Sequence, residues 1–184
     1  QPIAYFTCET FGIQMTTASE SGSIIACIPI ASLVASILFL QKKPTRFQTS
    51  GICLTVVGVI VCVTAKGFES SFSGIGYIML CMAVLSYSLY CVSAEKADKT
   101  TSIEKTYVMI ACGACFFATM AIARSIAAGT VVDLLMLPFQ NTVFLFSIVY
   151  LGIVSSVISF VLFNISISSI GTNKASSFVG ISTA

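Results

Sequence analysis

Long uncharged apolar runs, separated by short polar turns, constrain this chain more than any other feature. Three of these runs, residues 21–40, 72–94 and 144–170, contain no Asp, Glu, Lys or Arg. A helix needs about 20 apolar residues to cross the hydrocarbon core of a bilayer. Backbone polar groups must be satisfied internally in lipid, and the runs are too long for barrel strands. We therefore predict an all-α fold, a polytopic bundle of transmembrane helices.

The composition indicates that lipid is the main solvent of this fold. Only 9% of the 184 residues are charged, whereas a soluble domain carries about 25%. The net charge of +2 is small, and the basic residues are scattered through turns, so we expect the lipid bilayer and no nucleic acid as a partner.

Seven membrane segments are predicted, and two of them are incomplete. Because both ends of the chain fall inside apolar stretches, we expect an internal part of a longer protein. Pro29 lies mid-span, where a helix would kink or break. The small pairs Ala31/Ala35 and Ser32/Ser36, and Gly51 with Gly58 two turns apart, predict close contacts between helices. Residues 129–141 are interpreted as a short amphipathic lid or a plain linker. The segments are residues 2–16, 22–40, 49–65, 72–94, 106–127, 142–169 and a last one from about Lys174.

The basic residues predict the orientation of the bundle. Most of these residues fall in three turns: after the second segment, after the fourth segment and before the seventh. Two spans separate each of these basic turns from the next, so all three lie on one face of the membrane. The positive-inside rule makes that face cytoplasmic and places Glu20, Glu69 and Asp133 outside. The topology determinants are Lys42, Lys43, Arg46, Lys96, Lys99, Lys105 and Lys174.

The order of small-residue turns, proline and glycines resembles a known family. Residues 9–19 read ETFGIQMTTAS and lead through a proline-bearing helix to the basic turn FLQKKP, followed by Gly51 and Gly58. We place the start of a second copy at residues 73–77 and its matching helix–turn–helix at residues 164–176. Across nearly the whole chain this order is similar to EamA-type transporters of the drug/metabolite transporter superfamily. One departure is Lys42, which stands near the position where the family usually carries a glutamate.

The resemblance implies an architecture and an activity. It implies ten helices in two inverted five-helix halves, of which this chain would hold about helices 3–9. Residues 1–68 would be the C-terminal part of the first repeat, and residues 69–184 the second repeat, truncated at its C-terminus. Inverted repeats of this kind place the solute site near the midplane between the halves.

Four side chains are candidates for the solute cavity: Glu9, Gln14, Tyr87 and Asn164. Glu9 is the only carboxylate well inside a predicted span, and such groups usually face a cavity or a partner. It would contact a cationic group of the solute or a coupling proton. The alternatives are that Glu9 lies near an interface or bonds a neighbour, that Gln14 and Asn164 hydrogen-bond between helices, and that Tyr87 only packs.

The motifs of enzymes are missing from the sequence. The chain has no GxxxxGK[ST] motif and no His, which excludes a P-loop, an HExxH site and a Ser-His-Asp triad. The Cys112–Cys115 pair has no second pair and is interpreted as packing. We therefore expect no catalytic residue, no metal, no cofactor and no enzyme activity.

The sequence thus predicts a secondary active transporter of small organic solutes that works by alternating access, with a homodimer as the candidate assembly. The resemblance implies export of amino acids, metabolites or drugs across a bacterial inner (plasma) membrane. One alternative is a sugar-phosphate or nucleotide-sugar exchanger, which would need several basic residues in the cavity. The others are a non-transporting membrane scaffold subunit and, with less support, an intramembrane enzyme.

Overall fold

The computed structural model describes residues 2–42, 45–65, 73–97 and 99–182. Within these ranges every regular element is helical, which confirms the all-α fold, and a helix occupies each of the seven predicted segments. The helices are α1 (Pro2–Gln14), α2 (Ala18–Ile25), α3 (Ile28–Leu40), α4 (Arg46–Ala65), α5 (Gly74–Lys96), α6 (Ser102–Ala128), α7 (Val131–Gln140), α8 (Thr142–Val149), a π-helical segment (Tyr150–Ile158), α9 (Ser159–Ile170) and α10 (Thr172–Ser182).

Among the described residues, four stretches are long and apolar enough to cross a membrane, which is consistent with a multi-pass membrane protein. They are Ala18–Leu40, Gly74–Lys96, Ser102–Ala128 and Thr142–Ile170. The first is interrupted at Ala26 and Cys27, and Pro29 is the second residue of α3. Because proline has no N–H and its ring clashes with the preceding turn, the helix breaks there. The predicted kink or break is therefore confirmed as a break.

Local capping explains where several helices begin. The Thr17 side chain accepts from the Glu20 backbone N–H, and the Glu20 carboxylate accepts from the Thr17 N–H, which closes a capping box on α2. Thr101 and Glu104 form the same box on α6. This box starts α6 four residues before the predicted residue 106, because it satisfies backbone donors that a helix start leaves free.

The last long stretch contains the π-helical segment. Ser156 and Ser159 donate their hydroxyls to carbonyls five residues back, those of Leu151 and Val154. Before this stretch, most of residues 129–141 form the helix α7. A short helix therefore forms in the segment that the sequence analysis interprets as either an amphipathic lid or a linker.

Contacts divide the chain into two compact units. Unit 1 contains Ile3–Lys99 and Ser166–Ala184, and unit 2 contains Thr100–Ile165. The predicted repeat boundary at residues 68/69 concerns sequence duplication, which compact units do not test, so it stays a prediction. In unit 2, α6 packs with α7 and with the π-helical segment, and α8 packs with both of these neighbours in sequence.

Helix α5 is the centre of unit 1, and α3 packs along it while α10 packs on both helices. The buried face of α3 carries small residues at helical spacing, including Ser32, Ala35 and Ser36. The Ser32 hydroxyl donates to the Ser88 hydroxyl of α5 over 3.3 Å. Small side chains let helices approach closely in lipid, as the sequence predicts for α3.

The glycines that mediate close approach are not the ones that the sequence indicates. Gly51 and Gly58 of α4 face open space. On Gly12 of α1, an added Cβ would lie 2.6 Å from Leu80 Cγ, and on Gly76 of α5 it would lie 2.7 Å from Thr16 Cγ2. Within the described residues no helix packs on Gly51 or Gly58, because spacing alone does not say which helix face meets a neighbour.

Candidate functional site

Glu9 lies in the middle of α1 and has a partner on its own helix. The Tyr5 hydroxyl, one turn earlier, donates to Glu9 Oε1 over 2.8 Å. Residues four apart lie on the same helix face, so the donor of this hydrogen bond comes from α1 itself. Tyr5 is buried and Glu9 is half-buried. The carboxylate is thus placed at the edge of the packed region of unit 1 rather than inside it.

Tyr5 also connects Glu9 to α5. Its ring packs against the ring of Tyr87, with centroids 5.4 Å apart and planes tilted by 58°. Tyr87 is only 8% exposed, and the close approach at Gly12 holds α1 against α5 in the same region. A carboxylate beside aromatic rings is an arrangement that attracts organic cations, through charge and through the ring faces.

The other two cavity candidates do not join this group. Gln14 is the last residue of α1 and is exposed. Asn164 is buried in unit 2, where its side-chain amide donates to Thr106 Oγ1 of α6 over 2.9 Å. That geometry is a contact between helices, which is the alternative weighed for Asn164. The structure therefore brings together Glu9 and Tyr87 of the four, and the solute site stays a prediction.

Several topology determinants meet at one end of unit 1. Lys42 and Lys174, from turns that the charge pattern places on one face, line the same cavity of about 260 Å³. The Lys96 ammonium lies 5.9 Å from the centroid of the Phe39 ring. We call this end, marked by Lys42, Lys96 and Lys174, the basic end. The described residues that line the cavity are Lys42, Thr45, Gln48, Ile170, Gly171, Thr172, Asn173 and Lys174.

The remaining topology determinants lie at different places. Arg46 is the first residue of α4, and Lys99 lies exposed in the turn before α6. Lys105 belongs to the first turn of α6 in unit 2. Lys43 lies outside the described residues.

A carboxylate that the sequence analysis did not single out organises the basic end. Glu95, in the last turn of α5, forms an ion pair with Lys42 through Oε1. Its Oε2 accepts from the Thr172 backbone N–H, at the start of α10, over 2.9 Å. The Thr172 hydroxyl in turn donates to the Cys91 carbonyl of α5 over 2.9 Å. Lys42, which departs from the family pattern, thus forms an ion pair with Glu95 in this chain.

The opposite end of α5 carries a second polar contact. The Tyr77 hydroxyl donates to Glu20 Oε1 over 2.6 Å, while Glu20 Oε2 serves the capping box of α2. Of the other acids predicted on this face, Glu69 and the side chain of Asp133 lie outside the described residues. We call this the Tyr77 end. Tyr77 and Glu95 are about 27 Å apart along the helix, at 1.5 Å per residue.

Sequence reasoning missed Tyr5, Glu95 and Thr172. An acid followed by lysine at the end of an apolar run has the appearance of an ordinary solvated turn. The available signal was weak: α10 has no acid in its first turn and carries Lys174 there, so its positive N-terminal end needs a carboxylate from elsewhere.

Comparison with known proteins agrees with the family resemblance. Residues 1–64 match the EamA-like transporter family. The chain is 34% identical, over 99% of its length, to the uncharacterized transporter YcxC of Bacillus subtilis, of which it covers 59%. It is 28% identical over 53% of its length to the protein PagO of Salmonella typhimurium, of which it covers 33%. No solved structure matches the chain.

The chain therefore spans less than two thirds of the curated relatives that it matches. The family match covers the region that contains Glu9, the α2–α3 break and the basic turn at Lys42, which are the features that carried the resemblance. The resemblance predicted from the sequence is confirmed: residues 1–64 match the EamA-like transporter family, and nearly the whole chain is similar to a relative named as a transporter.

Proposed function

We propose that the full-length protein is a secondary active transporter that exports small organic solutes across the bacterial inner membrane by alternating access. The family match and the name of the YcxC relative point to transport rather than to an enzyme. The observation that supports a solute site is the environment of the Glu9 carboxylate. Glu9 accepts a hydrogen bond from Tyr5, and the Tyr5 ring packs against the ring of Tyr87.

The cost of Glu9 supports a functional role. In the membrane span that the sequence predicts for α1, a carboxylate near the centre costs about 2.5–3.5 kcal/mol on insertion scales. The one hydrogen bond from Tyr5 returns about 1.5–3 kcal/mol at most. A half-buried acid in this position keeps lone pairs available for a cationic group of the solute or for a coupling proton.

The test is driven uptake by everted membrane vesicles that contain the full-length protein. Labelled amino acids, nucleosides, organic amines and sugar phosphates are offered with and without a proton gradient. We expect gradient-dependent accumulation of at least one cationic or zwitterionic solute. Accumulation of sugar phosphates instead would favour the exchanger. A folded, inserted protein that accumulates nothing and purifies with a fixed partner would favour the scaffold.

The variant Glu9→Gln links this activity to the site. Losing a charged hydrogen-bonding group lowers binding by about 1.5–3 kcal/mol, so we expect uptake to fall about tenfold or more. Glu104→Gln is the matched control, because Glu104 is an exposed acid that caps α6 in unit 2. Uptake should be unchanged there. Wild-type uptake by the Glu9→Gln protein would remove Glu9 from the solute pathway.

A further inference from the structure

Glu95 connects three helices at the basic end. One carboxylate oxygen pairs with Lys42, which follows α3, and the other accepts from the first N–H of α10. Thr172 is fully buried, and its hydroxyl bonds back to α5 at the Cys91 carbonyl. Helices α3, α5 and α10 are therefore joined through a single side chain within unit 1.

The chain approaches Glu95 closely at Gly171, the residue before α10. Gly171 has a φ of +82°, and a Cβ there would lie 3.2 Å from Glu95 Oε1 and 3.7 Å from Lys42 Nζ. Glycine adopts this left-handed conformation without strain. The turn before α10 is thus shaped to place the helix N-terminus directly on the Glu95 carboxylate.

Helix α10 depends on this external acid. Its first turn holds Lys174 and no carboxylate, and a positive charge is unfavourable at a helix N-terminus. Helix α2 supplies its own cap through Thr17 and Glu20. The start of α10 instead receives its stabilising carboxylate from α5, through Glu95.

The contact is also accessible enough to break. The Lys42 side chain is 51% exposed, whereas that of Glu95 is 14% exposed. Water can solvate the Lys42 ammonium when it separates from Glu95, and an ion pair that is half-exposed is therefore weak. The cavity of about 260 Å³ lies beside Lys42 and Thr172, so space for solvent already exists next to the contact.

We propose that Glu95 is the positioning residue of a gate at the basic end, which holds α3 and α10 against α5 until Lys42 is released. The proposal rests on alternating access as the proposed function, since only a protein that alternates must open this end. Opening separates α10 from α5 and exposes the face of α10 that follows Thr172.

The test measures this opening without any solute. In the full-length protein with its native cysteines replaced, Ser176→Cys reports on the basic end and Ser21→Cys on the Tyr77 end. Both serines are buried, at 0% and 3% exposure, and Ser176 lies one turn beyond Thr172. Their labelling rates by a membrane-impermeant maleimide are compared from each side of the membrane.

Glu95→Gln and Lys42→Gln should each raise labelling of Ser176→Cys about fivefold, as loss of a half-exposed pair predicts. Labelling of Ser21→Cys should not rise. The exchange Lys42→Glu with Glu95→Lys should return the rate part of the way, because it restores the pair but not the acid cap on Thr172. Lys96→Gln is the matched control, since its ammonium faces Phe39, and it should change nothing.

Three results would overturn the gate. Equal increases at Ser176→Cys and Ser21→Cys would show general loosening, and equal effects of Lys96→Gln would show a surface-charge effect. Unchanged labelling in both Glu95→Gln and Lys42→Gln would show that the ion pair does not keep the basic end closed. Because no solute is needed, each of these results is independent of the uptake experiment, so the gate and the solute pathway fail separately.

Discussion

The two ends of α5 are held by different kinds of contact. At the Tyr77 end, the acid Glu20 belongs to the neighbouring helix, caps that helix itself, and receives one hydrogen bond from α5. At the basic end, the acid Glu95 belongs to α5, and its partners lie 53 and 77 residues away in sequence. Glu20 divides its carboxylate between a capping box within α2 and one contact with Tyr77, 57 residues away. Both partners of Glu95 lie on other elements, so the basic end depends more strongly on a single side chain.

The largest effect is expected for Glu95→Ala. It removes the partner of Lys42 and the cap of α10 together, and it leaves the buried Thr172 N–H unpaired. Removing one member of a buried pair costs about 3–5 kcal/mol. Because Lys42 is half-exposed, we expect about 2 kcal/mol less free energy of unfolding, measured by denaturant titration in detergent. A loss no larger than that of Glu20→Ala would remove the distinction between the ends.

The second effect concerns packing at the Tyr77 end. In Gly76→Ala, the new Cβ would lie 2.7 Å from Thr16 Cγ2 and 2.9 Å from Met15 Cβ. Overpacking of this kind costs about 1–3 kcal/mol, so the melting temperature should fall. Gly74→Ala, on the same helix with open space around it, is the control and should melt like the wild type. If both variants behave alike, close approach at Gly76 does not hold this end.

A smaller effect is expected for Tyr77→Phe, which deletes only the hydroxyl that donates to Glu20. A single hydrogen bond contributes about 0.5–1.5 kcal/mol, and the capping box of α2 survives the change. The same denaturant titration measures the loss, with the exposed Tyr107→Phe as control. A loss as large as that of Glu95→Ala would show that the Tyr77 end is the more fragile one.

The smallest effect is expected in unit 2, at the contact between Asn164 and Thr106. Hydrogen bonds between membrane helices average about 0.6 kcal/mol in double-mutant cycles. The cycle Asn164→Leu with Thr106→Val should give a coupling of that size, with uptake preserved. Loss of uptake with intact stability would instead return Asn164 to the solute cavity.

The sequence predicts the helices well because each is encoded by its own hydropathy. The break before Pro29 and the basic turns were also predictable, since proline geometry and the charge rule act locally. Glu95 was not predictable, because its role depends on how α3 and α10 pack on α5. For the same reason the spacing of glycines did not show that Gly12 and Gly76, rather than Gly51 and Gly58, lie at the helix contacts of the described residues.

The candidate site was predictable in part. Glu9 stands out by its charge in an apolar run, and Tyr87 by its position in a long uncharged one. Tyr5, which connects them, has the helical spacing to reach Glu9 but no feature that distinguishes it beforehand. Gln14 and Asn164 have suitable chemistry, yet the structure places them at an exposed helix end and in the other unit.

The most direct test of the central claim, that Glu9 lies in the solute pathway, is counterflow by the Glu9→Gln protein. Counterflow exchanges labelled for unlabelled solute across vesicles without any gradient, so it needs solute binding and alternation but no coupling ion. If Glu9 binds the cationic group of the solute, both counterflow and driven uptake are lost. If it carries the coupling proton, counterflow persists while driven uptake is lost. Wild-type rates in both assays, from a folded protein, would contradict the claim.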